Sequence, residues 1–128
     1  MKHYLGLDIG TKRVGLAIAT DETRLAEPRR TVAPNQVAAA IQELGPFEAV
    51  VVGLPRSLAG HDTPQTVAVR RAADDLLGPL GIDPIWQDEA ATSAVAEERL
   101  KAVGKPYTKA DIDAEAASII LQDYLDSL

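Results

Sequence analysis

Cysteine is absent from this 128-residue chain. That excludes disulfide staples, cysteine-rich zinc sites and thiol catalysis. Histidine is scarce as well: His3 and His61 are the only two, and neither has metal-ligand spacing to another. Ser57 and Ser93 lack the Gly-x-Ser-x-Gly setting of an activated serine. No apolar run approaches the ~18 residues of a membrane span. The opening MKHYLGLDIG leads a charged start straight into a strand, without the long apolar centre of a signal peptide. The expected compartment is therefore the cytoplasm, with no membrane partner.

What is present describes one folded domain, residues 1–128. Apolar residues make up 46% of the chain, enough for a core, and the length is too short for two domains. Nine glycines and eight prolines are too few for a disordered or fibrous chain. The net charge of −6 argues against a generic nucleic-acid binder. Its distribution is uneven. Residues 1–30 carry six basic and four acidic side chains, whereas residues 84–128 carry four basic and nine acidic. A carboxylate-lined metal site would contribute negative charge that divalent ions offset; a solubilising acidic surface is the plainer explanation.

Periodicity predicts the elements. Leu5, Leu7 and Ile9 alternate with Gly6, Asp8 and Gly10, which marks a strand over His3–Gly10. Thr11-Lys12-Arg13 breaks it, and Val14–Thr20 reads as the second half of a hairpin. Pro28–Ala33 fits a third strand, starting with proline at an edge. Asn35–Leu44 fits a short helix ended by Gly45-Pro46. The β-branched run Ala49–Leu54 predicts a strand buried on both faces. Thr63–Leu80 reads as a helix, Pro84–Gln87 as a strand, and Thr92–Val103 as a helix closed by Gly104. A last helix starts at the capping-box pattern Thr108-Lys109-Ala110-Asp111 and carries the stripe Ile112, Ala116, Ile119, Ile120 and Tyr124. The expected class is α/β: a mixed five-stranded sheet flanked by helices.

Three carboxylates stand out. Asp8 lies within an apolar strand, flanked at i±2 by Gly6 and Gly10. An ionised acid there is costly unless it is paired or holds a metal, and glycines leave room for a ligand or another backbone. Satisfaction by local hairpin donors is the alternative. Asp88-Glu89 follow a strand, and open α/β sheets place ligands at strand C-terminal ends; an acid at a helix start is equally at home there. Asp113 lies early in the last helix, aligned with Ala117, Ile120 and Tyr124 on its core-facing side, while Asp111 and Glu115 fall on a more solvated flank. The helix dipole again offers a plainer role. Such oxygen donors suit Mg²⁺ or Mn²⁺. Two such ions about 4 Å apart can activate a water and stabilise the leaving oxygen in phosphodiester hydrolysis.

Two resemblances bear on this pattern. The run DIGTKRVGLA at 8–17 is similar to the phosphate-binding hairpin of the actin and sugar-kinase superfamily, whose members need two such domains to enclose ATP. The whole chain resembles a closer family. GLDIGTKRVGLA at 6–17, VVVGLPRSLAG at 50–60, DEAATSAVAEERL at 88–100 and DIDAEAASIILQDYL at 111–125 look like the four motifs of the YqgF/RuvX family of Holliday-junction-resolvase-like proteins. That resemblance implies an RNase H-like fold and a nuclease acting on structured nucleic acid with Mg²⁺ or Mn²⁺. It implies processing of the 5′ end of precursor 16S rRNA or cleavage of DNA four-way junctions. It places the catalytic, metal-holding acids on Asp8, Glu89 and Asp113. One position departs: the family's Asp-Glu-Arg reads Asp88-Glu89-Ala90 here.

Lys12 and Arg13 on the hairpin turn, and Arg56 on the loop after the central strand, are the expected phosphate contacts. Arg29-Arg30 and Arg70-Arg71 read as surface charge. Symmetric cutting of a four-way junction needs two sites, which predicts a homodimer for that substrate; cutting an RNA end needs one. The rival readings are a nucleic-acid- or ribosome-binding module with little or no nuclease activity, and a kinase-like nucleotide-binding domain.

Overall fold

In the computed structural model, which describes residues 1–128, the chain opens with strands β1 (His3–Ile9), β2 (Val14–Thr20) and β3 (Glu27–Val32). A 3₁₀ turn at Pro34–Gln36 leads into helix α1 (Val37–Leu44). Strand β4 (Ala49–Pro55), helix α2 (Pro64–Leu77) and a second 3₁₀ turn (Gly78–Leu80) follow. Strand β5 (Ile85–Glu89) and helices α3 (Thr92–Val103) and α4 (Lys109–Asp126) complete the chain. The expected order of elements is the observed one. No helix is long and apolar enough to cross a membrane.

The five strands form one sheet in the order β3-β2-β1-β4-β5. The meander β1-β2-β3 is antiparallel, whereas β4 runs parallel to β1 and β5 parallel to β4. The C-terminal ends of β1, β4 and β5 therefore lie together. Alternation sends Leu5, Leu7, Ile9, Val14 and Leu16 to one face, where they meet Val37 and Ile41 of α1 and Val69, Ala73 and Leu77 of α2. The other face packs Ala17, Ala19 and Val51 against Ala117, Ile120, Leu121 and Leu125 of α4. Helix α3 rests on the outer side of α4 through Ala96, Ala116 and Ile119.

Several boundaries shift by one to three residues, the helix expected from Asn35 opening instead as the 3₁₀ turn before Val37, and two of the shifts have a plain physical reason. Strand β5 continues through Asp88 and Glu89 because Leu54 and Pro55 of β4 still offer it a partner. The helix expected over Thr63–Leu80 gives way to a 3₁₀ turn at Gly78-Pro79, where proline lacks the N–H that would continue the helix.

Helix α4 lies very close to the sheet because three strands present glycine beneath it. A Cβ at Gly6 would sit 2.7 Å from Leu121 Cβ and 2.8 Å from the Ala117 carbonyl oxygen. One at Gly53 would sit 2.4 Å from Ile120 Cδ1, and one at Gly15 only 2.1 Å from the Asp113 carbonyl oxygen. Strand glycines of this kind mark close backbone approach. The start of α4 is held by the expected capping box. The Thr108 hydroxyl accepts from Asp111 N–H at 3.2 Å, and the Asp111 carboxylate accepts from Thr108 N–H at 2.8 Å. Thr108→Ala should lower stability by about 1 kcal/mol, read by urea titration; an unchanged midpoint would mean that packing alone fixes this end of α4.

Candidate active site

Asp8 projects from β1 toward α4, because it is two residues beyond Gly6 on the same strand face. Its register partner on β2 is Gly15, which lies directly under Asp113. Glu89 ends β5, and its Cγ lies 3.4 Å from the position a Cβ would take on Gly53. So Glu89 also faces the α4 side, beside Ile120. Asp8 and Glu89 line one cleft of about 180 Å³ with Gly53, Ile120, Thr92 and Ser93. Asp113 does not line it.

The electrostatics are those of acids without a sufficient counter-charge. Burial pushes the Asp8 carboxyl up to about 6, and the neighbouring Asp113 adds to the rise. Burial likewise pushes Glu89 up to about 7. A hydrogen bond from the Thr92 hydroxyl to Glu89 Oε2 works the other way, while Asp123 and Asp8 reinforce the rise. Glu89 Oε1 is buried with no hydrogen-bond partner. A buried anionic oxygen left without a donor is unfavourable unless a cation or a proton meets it.

Asp113 is satisfied differently. Arg13 Nε donates to Asp113 Oδ2 at 2.6 Å, with the aspartate side chain 19% exposed. No group of three Asp, Glu or His side chains converges tightly enough to chelate one ion. Of the expected triad, Asp8 and Glu89 share the cleft, and Asp113 acts on Asp8 through its charge from the start of α4.

The basic residues separate. Lys12 is exposed at the β1–β2 turn, and Arg13 follows it with its carbonyl accepting from Gly10 N–H at 2.9 Å. Arg56 lies elsewhere. Its guanidinium is 3.3 Å from Asp62 and 3.2 Å from Asp88 Oδ1, the latter contact too poorly aligned for a hydrogen bond. Asp88 and Glu89 alternate to opposite faces of β5, so Arg56 sits against the face away from the carboxylate cleft. Its backbone N–H donates to the Glu89 carbonyl at 2.9 Å, which ties the ends of β4 and β5 together. Arg30 pairs with Glu43 at 2.7 Å, and the Arg70 guanidinium lies 6.0 Å from the Trp86 ring centre.

Three features escaped the sequence reading. Asp123 approaches Glu89; its i+3 spacing from Ile120 on α4 was the available signal. Glu115, expected on a solvated flank, is only 18% exposed and faces Arg99 at 3.7 Å, because α3 covers that side of α4. Ala91 turns the chain from β5 into α3 with φ of 56°, the left-handed region that a non-glycine residue rarely adopts.

The family model described as RuvX, Holliday junction resolvase, matches residues 2–127. The chain belongs to this family. A relative from Chloroflexus aggregans, named "putative pre-16S rRNA nuclease", is 42% identical over 96% of this chain and 92% of its own length. A protein of the same name from Chloroflexus aurantiacus is 43% identical over 96% of this chain and 86% of its own. Among solved structures, RuvC of Thermus thermophilus in complex with a Holliday junction substrate superposes with a TM-score of 0.58 at 16% identity. That match covers 99% of this chain and 95% of that one. The RNase H-like fold expected of a RuvX-family chain is therefore the fold observed. Asp8 and Glu89 lie where its parallel strands β1 and β5 end.

Proposed function

We propose that this RuvX-family chain is an endonuclease that hydrolyses phosphodiester bonds in structured nucleic acid, with Asp8, Glu89 and Asp113 as its metal-holding catalytic acids. The observation that carries the reading is the buried, unpartnered Glu89 Oε1 in one cleft with Asp8, both carboxyls pushed well above their ordinary values. Clustered hard oxygen donors that lack a counter-charge fit Mg²⁺ or Mn²⁺. A divalent ion there would supply an acidified water and would neutralise charge on the leaving oxygen.

The chain's own residues do the rest. Asp8, whose charge couples to both other acids, would hold the ion together with Glu89 and Asp113. The Thr92 hydroxyl fixes Glu89 through Oε2 and leaves Oε1 available. Lys12 and Arg13 meet the backbone phosphates that flank the scissile bond, contacts that position the substrate without reading its sequence. Arg56 contributes from farther out, holding the β4–β5 ends and reaching a flanking phosphate only by leaving Asp62 or Asp88. With alanine at position 90, the turn after Glu89 carries no cation, and phosphate binding falls to the β1–β2 turn.

The preferred substrate is precursor 16S rRNA, after the names of relatives at 42% and 43% identity, with its 5′ end as the point of cleavage that the family resemblance implies. Four-way DNA junctions are the second reading, favoured by the description of the matching family model; symmetric cutting of a junction would then require two copies of the chain. Labelled precursor rRNA and a labelled junction, each incubated with Mg²⁺ or Mn²⁺, separate the two. Asp113→Asn should lower the rate on the true substrate at least about a hundredfold. Cleavage of neither, or an unaltered rate in D113N, would sink the assignment, and tight ATP binding in its place would favour a kinase-like domain.

A further inference from the structure

We propose that Arg13 is an exchangeable counter-ion: its guanidinium holds Asp113 until a divalent cation claims that carboxylate, and is then released to a substrate phosphate. The inference rests on the metal reading above and adds to it how the third acid is withheld and delivered.

The geometry is specific. Arg13 donates to Asp113 through Nε, at 2.6 Å, and neither terminal amino group of the same guanidinium makes a hydrogen bond. A one-point contact forgoes the two parallel bonds that make arginine–carboxylate pairs strong. The Arg13 side chain is 39% exposed, so solvent screens the pair and the arginine has room to turn away. Its backbone does not need to move, because the turn is closed independently by Gly10 N–H donating to the Arg13 carbonyl at 2.9 Å.

Asp113 is also the one acid of the three that does not line the cleft shared by Asp8 and Glu89. A divalent ion drawn to Asp113 competes with the guanidinium for the charge of one carboxylate, and a single Nε contact on Oδ2 is the weaker claimant. A guanidinium displaced in this way would stand beside Lys12 on the β1–β2 turn, with its N–H groups available to an anionic oxygen. Arrival of the metal and readiness for the phosphate are then one event. The chain needs this economy because its turn after Glu89 carries alanine at positions 90 and 91 and no cation.

The test measures Mn²⁺ affinity from the electron paramagnetic resonance signal of the free ion, in the wild-type protein and in R13M, R13K, K12M and D113N. Arg13→Met should bind Mn²⁺ about two- to fivefold more tightly, since a competing cation has been removed. Arg13→Lys should return toward the wild-type value. Lys12→Met removes the same charge from the same turn but breaks no pair, so it should leave Mn²⁺ affinity unchanged. In Ca²⁺, which permits binding without relying on turnover, R13M should hold the nucleic acid more weakly than wild type. If D113N lowers Mn²⁺ affinity but R13M does not raise it, or if K12M raises it equally, the counter-ion role is wrong and the metal reading stands. If wild type, R13M and D113N all fail to bind Mn²⁺, the metal reading falls and takes this proposal with it.

Discussion

Gly15→Ala should be the most damaging single methyl group that can be added to this protein. The new Cβ would lie 2.1 Å from the Asp113 carbonyl oxygen and 2.4 Å from its carbonyl carbon. Both are backbone atoms, so no rotamer change relieves the clash. Either β2 or the first turns of α4 must move. Overpacking a tight contact costs roughly 1–3 kcal/mol and occasionally more, and a backbone collision belongs at the upper end. The same shift carries Asp113 away from Asp8, so cleavage should fall at least about a hundredfold even at temperatures where the variant stays folded. Urea titration and a cleavage assay on one preparation read both effects. Gly53→Ala is the informative comparison. There the nearest atom is the flexible Cδ1 of Ile120, at 2.4 Å, and the loss should be smaller. Gly78→Ala, with open space around it, should change little. A wild-type midpoint in G15A would show that α4 does not bear on β2 as closely as described.

Asp8→Asn should abolish activity and yet stabilise the protein at neutral pH. The sign follows from linkage. The Asp8 carboxyl titrates near 6 in the folded chain, against an ordinary value of 3.8, chiefly because it is buried. Between those values the folded state holds a proton that the unfolded chain has released. Stability therefore falls as pH rises through that window and stays low above it. At about 1.4 kcal/mol per unit the Asp8 contribution is at most roughly 3 kcal/mol. Glu89, raised to about 7, extends the loss upward in pH; its greater exposure makes its share smaller. In a chelator, D8N should gain about 2 kcal/mol over wild type at pH 8 and nothing at pH 4. Millimolar Mg²⁺ should stabilise the wild type at pH 8 and D8N much less. Thermal melts at the two pH values, with and without Mg²⁺, test all of this. A D8N protein less stable than wild type at pH 8 would mean that local donors satisfy Asp8 and that no cation is called for.

Much of the architecture was legible because alternation and capping are local. Leu5, Leu7 and Ile9 declare one strand face, and the core formed with α1 and α2 uses that face. Thr108 and Asp111 declare the start of α4, and both halves of the box form. The candidate acids were legible to different depths. Asp8 stood out by itself, as a charge among apolar residues between glycines. Glu89 and Asp113 needed the ordered motifs, since an acid near a helix start has an ordinary explanation in the helix dipole. The basic residues were the least legible. Lys12, Arg13 and Arg56 look alike along the chain, yet Arg13 reaches Asp113 while Arg56 is held by Asp62 and Asp88.

The sequence by itself determined the element order, the two-faced sheet, the position of Asp8 and the family. These depend on side-chain period and on short motifs, which are properties of neighbours in the chain. Only the tertiary structure decided which charges meet. Arg13 and Asp113 are separated by 100 residues, and their contact exists because glycine on β2 lets α4 descend until Asp113 lies over the strand. Burial is decided in the same way. Asp8 and Glu89 become acids in want of a cation only when three parallel strand ends and one helix take them partly out of water together.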